Sequence, residues 1–245
     1  AYGFVREKLS ATLPDNTIEL SHSWRSGEAR HRATLDDYAA LMTGALALHE
    51  ATGEPKLLDE ARALSAYIEA HFASPDGSYF FTSDLATDVI TRTRTGFDNA
   101  TPAGNGLLAM AFARMFCLTG DPVYRDRATA IIEAFSGELE KNAFGYGTLL
   151  RAAGLLAGAT QVAIIGAPDA PDTKKLHRSA YLGAAPDRIV SVIAPDGALP
   201  DGHPATGKTQ VDTDGRFKST AYVCRGPVCS LPITDAAELV AELSA

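Results

Sequence analysis

Carboxylates, amides and arginines gather just ahead of three apolar helical segments. "RATLDDYA" (32–39) offers Asp36, Asp37 and Tyr38 close to Arg30, and "TGFDNATPAGNG" (95–106) offers Asp98, Asn99 and Asn105 after Arg94. "NAFGYGTLL" (142–150) adds Tyr146, and "SWRSG" (23–27) adds Trp24 and Arg25. Acid/base work on a sugar needs carboxylates within hydrogen-bond reach of the reacting oxygen, so Asp36, Asp37 and Asp98 are the catalytic candidates. Arginines, amides and aromatic rings can hold a hydroxyl-rich ligand. Trp24, Arg25, Arg30, Tyr38, Arg94, Asn99, Asn105 and Tyr146 are therefore the substrate-binding candidates.

Most of these residues also have a folding duty open to them. Acids in a first turn suit the positive end of a helix, and Thr34 can cap the one that follows it. Thr101 fits an N-cap and Pro102 a first helical position. The arginines can pair with nearby acids, and aromatic rings commonly pack in cores. Asn105 is different: one turn inside a small, apolar helix, its amide needs a hydrogen-bond partner or a ligand.

An internal repeat supplies the elements that would position these groups. "ALALHEATGEPKLLDEARALSAYI" (45–68) resembles "AFARMFCLTGDPVYRDRATAIIEAF" (111–135), with Thr52-Gly53-Glu54-Pro55 falling on Thr119-Gly120-Asp121-Pro122. Each copy reads as an apolar helix, a tight turn with glycine ending the first helix and proline opening the second, and an amphipathic helix. Tyr38–Ala51 is apolar or small on nearly every side, whereas Leu57, Ala61, Leu64, Ile68 and Phe72 form one stripe. A buried inner helix followed by an amphipathic outer one, repeated, predicts helical hairpins in a ring or stack. The starts of the inner helices then converge on one end. "SPDGSYFFTSDLATDVITRTR" (74–94) reads as a strand hairpin turning at Asp76-Gly77, and 4–24 as the tail of an outer helix with a similar excursion.

After Gly158 the pattern changes. "QVAIIG" (161–166) and "RIVSVIA" (188–194), separated by a helix near 173–181, read as a βαβ unit with parallel strands. A glycine- and proline-rich loop (195–219), a strand (220–224) and a helix capped near Thr234-Asp235 follow. The expected fold is mainly α: a partial (α/α) toroid of helical hairpins over 1–158, truncated on its N-terminal side, with a small α/β appendage over 159–245.

The formal net charge of -8 argues against a nucleic-acid surface, and no apolar run is long enough for a membrane span. The first residues do not read as a secretory signal. Three cysteines are too few for a disulfide framework, which favours a reducing cytoplasm. Cys224 and Cys229 read either as two ordinary residues on a turn or as a redox-active or disulfide-forming pair. The scattered histidines and the Cys-x4-Cys spacing give no metal site. The appendage lacks the GxGxxG of a dinucleotide site, and no cofactor is expected.

Together "HSWRSGEARHRATLDDYA", "GFDNATPAGN" and the closing "TAYVCRGPVCSLPITDAAEL" resemble the C-terminal part of the YyaL-like family, thioredoxin-domain-containing proteins that include the spermatogenesis-associated homologue of animals. The resemblance covers essentially the whole chain. It implies a six-hairpin glycosidase- or 2-epimerase-like toroid with a sugar-sized cavity, preceded by a thioredoxin-like domain. Two functions are compatible with it. One is carboxylate chemistry on a sugar-like small molecule. The other is a non-catalytic ligand-binding or scaffold module that works with the thioredoxin-like domain. An open edge of inner helices would also favour a homo-oligomer of the fragment.

Overall fold

The computed structural model describes residues 1–197, 202–213 and 216–245. Part of the glycine- and proline-rich loop (195–219) therefore lies outside the described residues. The chain forms two compact units: Ala1–His49, Glu54–Ala113 and Val123–Ala153 make the first, and Glu50–Gly53, Arg114–Pro122 and Gly154–Ala245 the second.

The first unit is built on helix pairs. α1 (Tyr2–Lys8) leads into β1 (Ser10–Thr12), β2 (Ile18–Arg25) and β3 (Glu28–Arg32). Then come the pairs α2 (Leu35–Thr52) with α3 (Pro55–Phe72) and α4 (Gly104–Thr119) with α5 (Pro122–Ala134), followed by α6 (Ser136–Lys141) and α7 (Gly147–Gly158). Both repeat turns fold as their sequence implies. Gly53 and Gly120 take left-handed φ values of 73° and 70°, and Pro55 and Pro122 open the helices that follow.

The inner–outer distinction holds for α4, whose Leu108, Ala109, Ala111, Phe112 and Ala113 are all fully buried, and for α3 and α5, which bury single stripes. α2 departs from expectation. It is apolar all round, yet Ala40, Ala47 and Leu48 remain open on one side.

Three local readings are corrected. Residues 74–94 make the expected turn at Gly77 (φ 87°), but only an isolated bridge, Ala73 to Tyr79, joins its arms. Conversely, β2 and β3 form a hairpin that the sequence reading missed, closed by Ser26-Gly27, both left-handed (φ 53° and 86°), with Arg25 opposite Glu28. Finally, α4 starts at Gly104, so Thr101 and Pro102 belong to an exposed loop. The reason is a competing cap: Asp98 reaches forward to take the Ala103 N–H at 2.9 Å.

In the second unit β4 (Thr160–Ile165), α8 (Pro171–Ser179) and β5 (Arg188–Ile193) form the expected βαβ unit, with six residue pairs in parallel register. β8 (Thr220–Arg225) lies antiparallel on the other side of β4, and β9 (Val228–Cys229) completes the order β5-β4-β8-β9. β6 (Val211–Thr213) and β7 (Arg216–Lys218) pair separately. Central β4 reads as a continuous apolar run because both its faces are covered. Val162 and Ile164 join Leu176, Leu239 and Leu243 of α8 and α9 (Ala236–Ser244), while Ala163 and Ile165 join Ala205, Tyr222 and Cys224. Asp235 caps α9 by accepting from Ala237 N–H and Glu238 N–H.

Cys224 and Cys229 face each other across β8 and β9 and are disulfide-bonded, with Cys224 fully buried. Of the two sequence readings, the pair of ordinary turn residues is thereby corrected: cross-strand register brings the sulfurs together. Closing so short a loop removes little chain entropy, so reduction should cost the unit only about 2 kcal/mol. Urea midpoints with and without dithiothreitol measure this; an unchanged midpoint would show that the bridge adds nothing.

Candidate functional site

The first unit brings the starts of α2, α4 and α7 to one end, and acidic side chains lace them together. Asp36, in the first turn of α2, accepts the backbone N–H of Gly104 at the start of α4. A Cβ built on Gly104 would fall 2.2 Å from Oδ1 of Asp36 and 3.1 Å from its backbone nitrogen, so only glycine admits the carboxyl there. Asp98 joins the other two helices: Oδ1 takes the Ala103 N–H and Oδ2 takes the Thr148 N–H at 2.8 Å. Its own N–H donates to the Gly145 carbonyl at 2.7 Å.

The acids differ in environment. Burial pushes the Asp36 carboxyl above the usual aspartate range, the neighbouring Asp37 adds to this, and the Gly104 N–H opposes it. Across that raised window the folded chain holds a proton the unfolded chain has released. The contribution to stability is therefore present at low pH and lost as pH rises through the folded value. Asp37 is occupied locally. Its Oδ2 accepts Thr34 N–H at 2.8 Å and the Thr34 hydroxyl at 3.1 Å, and meets His22 Nδ1 at 2.8 Å.

The amides and aromatic residues take mostly structural positions. Asn105, 1% exposed, accepts from Tyr79 N–H at 2.9 Å and donates to the carbonyls of Tyr79 (2.9 Å) and Thr95 (3.0 Å). Its partners are thus two backbone segments of the 74–95 loop. Tyr38 is core: its ring stacks on Tyr67 at 5.1 Å and its hydroxyl accepts the Leu20 N–H. Tyr146 is buried edge-to-face against Phe97 at 5.6 Å, and Trp24 meets Phe4 edge-to-face at 6.1 Å. Arg30 pairs with Glu28, and Arg94 with Asp76 while donating to Ser78 Oγ. Arg25 and Asn99 are exposed, on the β2–β3 hairpin and in the loop before α4.

Two cavities flank the start of α2. One, of about 470 Å³, has a polar rim that includes His31, Arg32, Thr34, Thr82, Ser83 and Asp88. The Thr82 hydroxyl is buried without a partner, and His31 carries a left-handed φ of 61°, unusual for a residue with a side chain. The other, of about 620 Å³, is mainly apolar and has His22 and Asp37 at its edge. Sequence reading passed over His22, Thr82 and Ser83 because a lone histidine on a strand and hydroxyls in a loop carry no spacing signal.

In the second unit, the described residues at the end of β4 and the start of α8 leave no room for a phosphate. A Cβ on Gly166, at the end of β4, would meet Thr173 Oγ1 and Ser219 Oγ within 2.6 Å, and those buried hydroxyls bond each other at 2.7 Å. Asp172 occupies the start of α8 and accepts the Ser219 N–H, so a carboxylate stands where a phosphate would have to sit. Among the described residues no group of histidine, cysteine and acidic side chains is arranged to hold a metal ion, and no helix is long and apolar enough to cross a membrane.

No protein-family profile matches the chain. The chain is 29% identical over 214 residues to spermatogenesis-associated protein 20 of Rattus norvegicus, covering 84% of this chain and 26% of that protein. It is 28% identical over 237 residues to the Homo sapiens protein of the same name, covering 93% and 28%. It thus spans about a quarter of the length of the curated relatives it matches. Among solved structures, a GH76 alpha-mannanase of Bacteroides thetaiotaomicron superposes over 99% of this chain and 60% of its own, with a TM-score of 0.50 and 12% identity, a likeness of fold. These findings support the resemblance read from the sequence: the chain is similar in sequence to spermatogenesis-associated protein 20 and similar in fold to a GH76 alpha-mannanase.

Proposed function

We propose that the first unit is part of a carbohydrate-active (α/α) toroid in which Asp36 is the proton donor. The observation that carries this reading is the Asp36 carboxyl itself, half-buried, pushed toward its protonated form, and held by a helix N-terminus at the end where the inner helices begin. A general acid needs a raised carboxyl of this kind. The neighbouring polar cavity, with an unpartnered Thr82 hydroxyl, suits a hydroxyl-rich ligand, and the fully exposed Phe144 offers a stacking face beside the start of α7. Asp98 and Asp37 are positioning residues in this reading, because backbone and side-chain donors already occupy them.

The test is a screen of the whole protein against mono- and disaccharides and α-mannan fragments, by thermal shift and by turnover. Asp36→Asn should lower turnover about 10²–10⁴-fold with little change in thermal midpoint. Gly104→Ala leaves the carboxyl in place chemically but occupies its position, and should give a similar loss. Undiminished turnover in both variants would remove Asp36 from the chemistry.

A second reading, a non-catalytic module serving a thioredoxin-like domain, is favoured by the use of Asp37 and Asp98 in helix capping. It predicts no turnover of any sugar in the screen.

A further inference from the structure

The disulfide between β8 and β9 joins two sulfurs with unequal surroundings. Cys224 is fully buried in the cluster with Ala163, Ile165, Ala205 and Tyr222, whereas Cys229, on the outer strand of the sheet, is half-buried. The register that sets them opposite each other does not need the bridge. Ser230 N–H donates to the Val223 carbonyl at 2.8 Å, and Val223 N–H donates to Ser230 Oγ at 3.1 Å. The segment packed beside the bridge is also held independently. Nδ1 of His203 accepts the Ala205 N–H at 3.1 Å, and the Tyr222 hydroxyl donates to the Thr209 carbonyl at 2.6 Å. The Cys229 sulfur lies 3.3 Å from the Pro204 carbonyl oxygen. A bridged sulfur has no proton to give and a thiol has one, so reduction supplies a donor where an acceptor already stands. Finally, the bridge spans a sequence separation of only 5. It therefore stabilises the fold little, and by the same thermodynamic cycle the fold protects it little from reduction.

We propose that Cys224 and Cys229 are a reversible dithiol–disulfide couple, opened by a dithiol donor while the second unit stays folded. A thiolate of the donor attacks the accessible Cys229 sulfur, the S–S bond breaks, and its electron pair leaves on Cys224, which takes up a proton. The donor's second thiolate then attacks the donor's own sulfur in the mixed disulfide and expels Cys229, which is protonated in turn. Two electrons and two protons pass to the pair, and the donor ends as a cyclic disulfide. The buried Cys224 sulfur is a poor leaving group, so opening is slow, yet the mixed disulfide forms on one defined atom. The couple does not depend on the proposed sugar chemistry.

The test uses the whole protein in its oxidised form. Initial rates of reduction by dithiothreitol, read by alkylation and mass, should change less than about twofold between no urea and the foot of the unfolding transition, whereas reduction that waits for unfolding would accelerate about tenfold or more per molar urea. Far-UV circular dichroism should be unchanged on reduction, and oxidised glutathione should reclose the bridge without a denaturation step. Glutathione, a monothiol, should be trapped as a mixed disulfide on Cys229; trypsin cuts after Arg225 and so places the two cysteines on different peptides. Oxidised glutathione should conjugate the Cys224→Ser variant at Cys229 and leave Cys224 of the Cys229→Ser variant unreacted. A rate that follows unfolding, loss of structure on reduction, a pair that does not reclose, or glutathione found on Cys224 would overturn the proposal.

Discussion

Asn105→Leu should destabilise the first unit by at least about 3 kcal/mol, because three backbone groups lose a buried partner and each such loss costs roughly 1–3 kcal/mol. Leucine nearly conserves volume, so a cavity contributes little and the effect reports on hydrogen bonding. The affected groups lie on the Tyr79 turn and at Thr95, the two ends of the loop that also carries Thr82 and Ser83 of the polar cavity. Amide exchange at Tyr79 N–H should therefore accelerate well beyond the global change, and the cavity should loosen with it. A ligand-holding role for Asn105 makes the opposite prediction: unchanged stability and lost ligand binding. Urea denaturation of the variant separates the two, and a loss below about 1 kcal/mol would return Asn105 to the list of ligand contacts.

Asn105 also shows how far the sequence could be read. A polar amide in a helix of glycines, alanines and leucines announces a partner, but not which one. That partner is backbone brought in from 26 residues away, and no periodicity encodes such a contact. The helix pairs were legible because the Thr-Gly-acid-Pro turn repeats and each of its residues has one conformational job. The βαβ unit and its third strand were legible because β4, covered on both faces, must be apolar throughout. The start of α4 was misread because local capping chemistry at Thr101-Pro102 lost to Asp98, whose second oxygen is also needed by α7. The β2–β3 hairpin was missed although Ser26-Gly27 marks it, since charged, exposed β3 lacks strand alternation. At the candidate site, types and rough placement were readable. The division of labour was not: Asp36 buried toward α4, Asp37 turned to His22 and Thr34, and Asp98 used as a clasp are outcomes of packing.

In the second unit, Glu50→Leu should cost about 3–5 kcal/mol, the usual range when one member of a buried ion pair is removed. Glu50 is 4% exposed. Oε1 accepts from Arg114 Nε at 3.0 Å and Nη2 at 2.6 Å, and Oε2 accepts the Val190 N–H at 3.1 Å. Its backbone carbonyl lies 2.7 Å from His177 Nε2, which donates to it. Val190 belongs to β5, an outer strand of the four-stranded sheet, so the carboxylate satisfies an N–H that β4 does not pair. Leucine at this position would strand the guanidinium, 19% exposed, and leave the buried Val190 N–H without a partner. The variant should therefore show a lowered urea midpoint and faster amide exchange at Val190. Pairing it with Arg114→Leu should recover much of the stability, because two apolar side chains can replace a buried ion pair. Recovery should stay incomplete, since the buried Val190 N–H is still unmet. A double variant as unstable as the single would mean that the edge N–H, and not the stranded charge, dominates the cost.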